Sequence, residues 1–196
     1  MVGRYDRQEQ WIGQVLQKTI RSTTVAIAGV GAIGSVAAEL LCRAGIKKLI
    51  LIDRDIVEES NLQRQSLYTM EDIGVPKAIA AKKHLITINP EVEIEAYPEE
   101  LTHTTIAACF NDADLIMDGL DNLATRLLIN NYCIKHKKPW VVAGAIKEKG
   151  FTLPIPVGGA CYECVFRYAS DLIGKTETCD QVGVMSTTTH IIASYA

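Results

Sequence analysis

The chain has 196 residues, 48% of them hydrophobic and 22% charged, the composition of an ordinary globular protein and not of a disordered one. Its formal charge of −3 gives no global field to attract nucleic acid or anionic lipid, so any phosphate must be held by a local cluster. No run of about 18 apolar residues is present to cross a membrane, and the charged start Met1-Val2-Gly3-Arg4-Tyr5-Asp6-Arg7-Gln8 lacks a signal peptide's apolar stretch, so a cytoplasmic protein is expected.

Helical spacing runs from Trp11 to Arg21 and ends at Ser22-Thr23-Thr24. Val25 to Ala28 is a short apolar run before glycine, the mark of a buried strand. Ala32, Ile33, Val36, Ala37, Leu40, Leu41 and Ala44 then recur at helical spacing until Gly45. Leu49 to Ile52 is a second buried strand, ending at Asp53. The polar segment Arg54 to Pro76 is too long for an ordinary connection and reads as functional. Lys77 to Ile88 is predicted as a helix closed by Asn89-Pro90, Val92 to Tyr97 as a strand, and Thr105 to Phe110 as a short helix. Leu115 to Met117 reads as a strand ending at Asp118, Asn122 to His136 as a helix, and Trp140 to Ala143 as a strand. This alternation predicts an α/β fold, Rossmann-like and doubly wound, with a mostly parallel sheet. Phe151 to Pro154 reads as an antiparallel addition at the C-terminal side, and a single domain over residues 1–196 is expected.

The six cysteines of a cytoplasmic protein read as thiols, metal ligands or reactive groups, not as a disulfide framework. Cys42, Cys109 and Cys133 fall in helical stretches and read as buried small hydrophobes. Cys161 and Cys164 form one CxxC, which by itself is a redox couple or half of a zinc site.

Between the first strand and its helix stands Gly29-Val30-Gly31-Ala32-Ile33-Gly34. In such a turn Gly29 permits the tight bend, Gly31 lets backbone approach a phosphate, and Gly34 lets helix pack on strand. Asp53, ending the second strand, is placed to accept both hydroxyls of a ribose. A nicotinamide oxidoreductase is one reading. Against it, the chain is short for a second, catalytic domain, and His84, His103, His136 and His190 are scattered. Asn61, Arg64 and Lys77 follow Asp53 closely enough for a fold to aim them at the same pocket, where they would neutralise a triphosphate. A solvated charged loop is the plain alternative.

Arg4-Tyr5-Asp6-Arg7-Gln8, the glycine turn, Asp53-Arg54-Asp55, Asn61-Leu62-Gln63-Arg64-Gln65, Gly74-Val75-Pro76-Lys77-Ala78, Asp118-Gly119-Leu120-Asp121-Asn122 and Cys161-Tyr162-Glu163-Cys164 occur in that order. In these motifs, over nearly its whole length, the chain resembles the ThiF/MoeB/HesA family of ubiquitin-activating-enzyme-like proteins. The resemblance implies an adenylyltransferase that uses ATP and magnesium. Its substrate would be the C-terminal carboxylate of a ubiquitin-like sulfur-carrier protein ending in Gly-Gly, for thiamine, molybdopterin or related biosynthesis. It implies that Asp53 holds the ribose, that Asn61, Arg64 and Lys77 bind the triphosphate, and that Asp121 holds magnesium. Arg7 would reach across a homodimer interface into the neighbour's ATP site. On the residues alone, Asp121 stands just past a strand end, where parallel sheets bind ligands, or serves as the N-cap of the next helix.

In that family a second CxxC farther along completes a four-thiolate zinc site. No second pair follows here; the sequence ends at Ala196 inside a stretch, Val184 to Ala196, that reads as the start of a helix. A truncated chain is therefore expected, with Cys161 and Cys164 a zinc half-site. Cys179 resembles the thiol that some relatives link covalently to the carrier's C-terminus. Glu177 and Asp180 beside it would raise its pKa, and a loop bystander is the alternative. A non-catalytic nucleotide-binding scaffold is a further alternative class.

Overall fold

The computed structural model describes residues 3–166 and 182–196. Its elements run α1 (Asp6–Ile20), β1 (Thr24–Ala28), α2 (Gly34–Ala44), β2 (Lys48–Ile52), α3 (Lys77–Ile88), β3 (Glu93–Tyr97), α4 (Ile106–Phe110), β4 (Leu115–Asp118), α5 (Leu123–His136), β5 (Trp140–Ile146), β6 (Lys149–Ile155), α6 (Tyr162–Val165) and α7 (Ser186–Tyr195). The strands form one sheet in the order β3-β2-β1-β4-β5-β6. All neighbours pair in parallel except β6, which runs antiparallel to β5. The strand order reverses between β1 and β4, and a crevice opens at such a reversal.

Continuous apolar strands are what a sheet covered on both faces requires. Val25 and Ile27 of β1 join Leu49 and Leu51 of β2 in a core layer under α2, α3 and α7. The alternate residues, Ala26, Ala28, Ile50 and Ile52, pack on the opposite face against Phe110, Ile129 and Tyr132. Fully burying one such branched or aromatic side chain contributes roughly 1.5–3 kcal/mol. Cys42, Cys109 and Cys133 lie in these two layers, where burial pushes their thiols up to about 11, 11 and 12. They pack as small hydrophobes. No helix among the described residues is long and apolar enough to cross a membrane.

The first helix starts earlier than its apolar spacing predicts, at Asp6 and not Trp11. The Asp6 carboxylate accepts the Gly3 N–H at 2.7 Å, and the residues ahead of Trp11 are polar, so they carry no periodicity. Gly13 (φ 80, ψ 158) interrupts the helical geometry within the element. The β5–β6 hairpin is also longer than expected, pairing from Trp140–Ile155 to Ile146–Lys149. Gly144, Ala145 and Gly150 carry little strand propensity, and cross-strand pairing overrides it. Pro154 is tolerated because β6 is an edge strand.

Candidate functional site

A cleft of about 1250 Å³ lies over the ends of β1, β2 and β4. Its base is the turn between β1 and α2. Gly29 there has φ 84 and donates its N–H to the Ile52 carbonyl at 2.8 Å. A Cβ on Gly34 would collide with the Gly29 carbonyl oxygen, and one on Gly119 would sit 2.8 Å from both that oxygen and the Gly34 nitrogen. The β1–α2 and β4–α5 turns are thus locked together, backbone on backbone. Gly31 is different: the nearest atom to a Cβ there is Gln65 Nε2 at 3.8 Å, so the backbone at Gly31 faces open space.

Asp53 extends from β2 along one wall. Its Oδ2 accepts the Val30 N–H at 2.7 Å and its Oδ1 the Asp55 N–H at 2.8 Å. Burial pushes its carboxyl above the usual range, against the pull of the Lys77 ammonium and these two N–H groups. The carboxylate therefore anchors the glycine turn while keeping lone pairs that face the cleft.

The long segment after Asp53 folds over the cleft through two short 3₁₀ turns, Glu59–Asn61 and Met70–Asp72. Asn61 is 7% exposed, and its Oδ1 accepts the Glu58 N–H at 3.1 Å. Lys77, also 7% exposed, is the first residue of α3, and its Nζ lies 3.0 Å from Asp55 Oδ2. Arg64 is half-buried and donates to the Ser60 carbonyl at 3.0 Å. All three line the same cleft as Gly29, Gly31, Asp53 and Asp121.

Asp121 follows β4, with its carboxylate exposed and no cation paired to it among the described residues. The N-cap of α5 is Asn122, whose Oδ1 accepts the Thr125 N–H at 2.9 Å, which corrects the alternative reading of Asp121 as that cap. Gly34 acts through packing and does not line the cleft. Arg7 is exposed on α1 and does not reach the cleft of its own chain. Cys161 and Cys164 bring their sulfurs to 3.4 Å. Burial works to raise the Cys161 thiol, but hydrogen bonds from Cys164 and the backbone outweigh it and hold the thiol below its ordinary value. Two thiolates are half of a tetrahedral zinc set. Among the described residues no three potential ligands come together. Cys179 lies outside the described residues.

Two cleft residues were not singled out by the sequence. Gln65 is 3% exposed, and its buried Oε1 has no hydrogen-bond partner among the described residues. Arg126, on α5, pairs with the fully buried Asp118 through Nε to Oδ2 at 2.8 Å. An aspartate ending a buried strand needs a counter-charge, and that requirement, with Arg126 one turn into the next helix, was the available signal.

Comparison with known proteins places the chain in a family. The ThiF family model matches residues 5–196. The chain is 38% identical to the sulfur carrier protein ThiS adenylyltransferase of Bacillus subtilis, covering 95% of this chain and 56% of that protein. It is 35% identical to the molybdopterin-synthase adenylyltransferase of Escherichia coli, over 91% of this chain and 71% of that protein. A crystal structure of E. coli MccB with ATP superposes with a TM-score of 0.83 at 26% identity, covering 98% of this chain and 60% of that one. The chain thus spans little more than half the length of its B. subtilis relative.

Proposed function

The chain belongs to the ThiF family, and from that premise we propose that it adenylates the C-terminal carboxylate of a ubiquitin-like sulfur-carrier protein ending in Gly-Gly. The observation that carries this reading is the convergence of Asn61, Arg64 and Lys77 on the cleft formed by the glycine turn. A dinucleotide needs no cations beyond its pyrophosphate turn; a triphosphate does.

A carboxylate is a poor acyl donor because oxide is a poor leaving group. In the proposed step a carrier carboxylate oxygen attacks the α-phosphorus of ATP, the bond from that phosphorus to the β-phosphate bridging oxygen breaks, and pyrophosphate departs with the electron pair. The product is an acyl-adenylate. The nucleophile is already ionised, so no general base is required, and the protein's task is to position and neutralise. Asp53 is assigned to the ribose. The open backbone at Gly31 and the amino end of α2 take phosphate oxygens. Asn61, Arg64 and Lys77 stabilise charge on the phosphates.

The exposed carboxylate of Asp121 on the cleft, with no cation paired to it among the described residues, fits a magnesium ion, which is held by one or two carboxylates together with substrate phosphates. When bound, magnesium would supply charge neutralisation along the triphosphate. Arg7 is assigned to the partner's site in a homodimer, and the large exposed side chains Trp11 and Val15 beside it support an interface there. Residues 1–196 are assigned to a single adenylation domain, working in the cytoplasm where ATP and carrier are supplied. Cys179 is assigned to a covalent step after adenylation.

Pyrophosphate–ATP exchange tests the proposal, with B. subtilis ThiS as the carrier probe. Exchange that depends on ThiS is expected, and Arg64→Ala or Asp121→Ala should lower it by about 100-fold or more with the fold intact. Cys179→Ala should leave exchange unchanged. Tight binding of NAD with no binding of ATP would overturn the reading.

A further inference from the structure

Resting on the assignment of Asp121 to magnesium, we propose that Arg126 is the positioning residue that sets Asp121 for the metal-bound nucleotide. The contacts converge on Leu120, the residue before Asp121. Arg126 Nε donates to Asp118 Oδ2 at 2.8 Å, and Nη2 donates to the carbonyls of Leu120 at 2.6 Å and Ala143 at 2.7 Å. Asp118 Oδ1 in turn accepts the Leu120 N–H at 2.6 Å. Leu120 is therefore gripped at both its N–H and its carbonyl by the two members of one buried ion pair. That carbonyl belongs to the peptide unit joining Leu120 to Asp121, so its orientation sets the backbone from which the Asp121 side chain leaves.

The same turn is fixed on either side. Gly119 is packed against the Gly29 carbonyl and the Gly34 nitrogen, and Asn122 is held as the α5 cap. Satisfying Asp118 alone would need only a charge beside it; the bonds to Leu120 and Ala143 are additional and aim at the turn. Preorganisation of this kind is how supporting residues fix a ligand-binding group.

Arg126→Lys separates positioning from simple neutralisation. Lysine keeps a charge for Asp118 but lacks the planar fork that spans Leu120 and Ala143. ATP binding is measured calorimetrically in excess EDTA and in excess magnesium chloride. With Arg126→Lys, the gain in affinity that magnesium gives the wild type should fall by about tenfold, while affinity in EDTA stays within about twofold. Asp121→Asn should lose the same gain, and combining the two should lose little more, because both act on one interaction. Should Arg126→Lys unfold, the neutral pair Asp118→Asn with Arg126→Gln leaves no unpaired buried charge and should give the same loss. A folded variant that keeps the magnesium gain, or losses that multiply in the double variant, would overturn the proposal. A wild-type protein whose ATP affinity does not respond to magnesium overturns the underlying assignment, and is recognised before any variant is made.

Discussion

The carboxylate of Asp72 is 1% exposed, and burial by itself would raise its pKa. Hydrogen bonds from the Thr69 N–H at 2.8 Å, the Thr69 hydroxyl at 3.0 Å and His84 Nε2 at 2.7 Å outweigh burial and hold the carboxyl below its ordinary value. His84 is on α3 and Thr69 on the polar segment, so one ionised side chain fastens the segment carrying Asn61 and Arg64 to the helix carrying Lys77. Because the folded-state pKa is depressed, this stabilisation is fully present above the unfolded value of about 3.9 and is lost as pH falls through the folded value. Asp72→Asn should therefore cost about 2–3 kcal/mol near neutral pH. That difference from wild type should shrink in urea unfolding below about pH 4. An equal difference at both pH values would show that shape, not charge, is what Asp72 contributes. Nothing in the sequence pattern distinguished Asp72 from its neighbours, since its partners lie across a turn and one helix away.

The turn joining β1 to α2 makes opposite demands on glycines only three positions apart. Alanine at position 34 would drive a methyl into the Gly29 carbonyl, backbone that cannot give way, so Gly34→Ala should lose at least about 2 kcal/mol of stability in chemical denaturation. At Gly31 the nearest atom to such a methyl is 3.8 Å away, so Gly31→Ala should fold with stability within about 1 kcal/mol of wild type. The methyl would instead stand where a phosphate approaches, and calorimetry should show ATP affinity falling by about tenfold or more. Wild-type affinity in a folded Gly31→Ala protein would remove the phosphate from that position. Elements with a strong local code were legible in the sequence: α3 begins at Lys77 and ends at Ile88, and β1, β2 and β4 follow from unbroken apolar runs. The start of α1 and the length of the β5–β6 hairpin were not, because polar residues without periodicity form the first turn of α1 and pairing across the sheet sets the hairpin.

At the scale of the whole molecule, the parallel sheet gathers residues from separate stretches at one end, and that much follows from alternating strands and helices. The grouping of Asn61, Arg64 and Lys77 was legible only as motif order, since spacing alone allowed a solvated loop; the turns after Asp53 bring the three together. Arg126 went unread because its contacts with Asp118, Leu120 and Ala143 arise only when distant stretches pack together. Arg7 poses the remaining question, being exposed on α1 and remote from its own cleft. Trp11 is 89% exposed and Val15 84%, so the element carrying Arg7 holds large apolar side chains in water, as a surface awaiting a second copy would. If Arg7 completes the partner's site, Arg7→Ala and Lys77→Ala should each abolish exchange, yet their mixture should regain it. In a mixed dimer the Arg7→Ala protomer keeps its own Lys77 and receives Arg7 from its partner, while the other site lacks both. With random exchange of subunits, half the dimers are mixed and each has one sound site, so recovery should approach about one quarter of wild-type activity. Native mass spectrometry verifies that mixed dimers have formed. If they form and exchange stays absent, Arg7 works within its own chain or not at all.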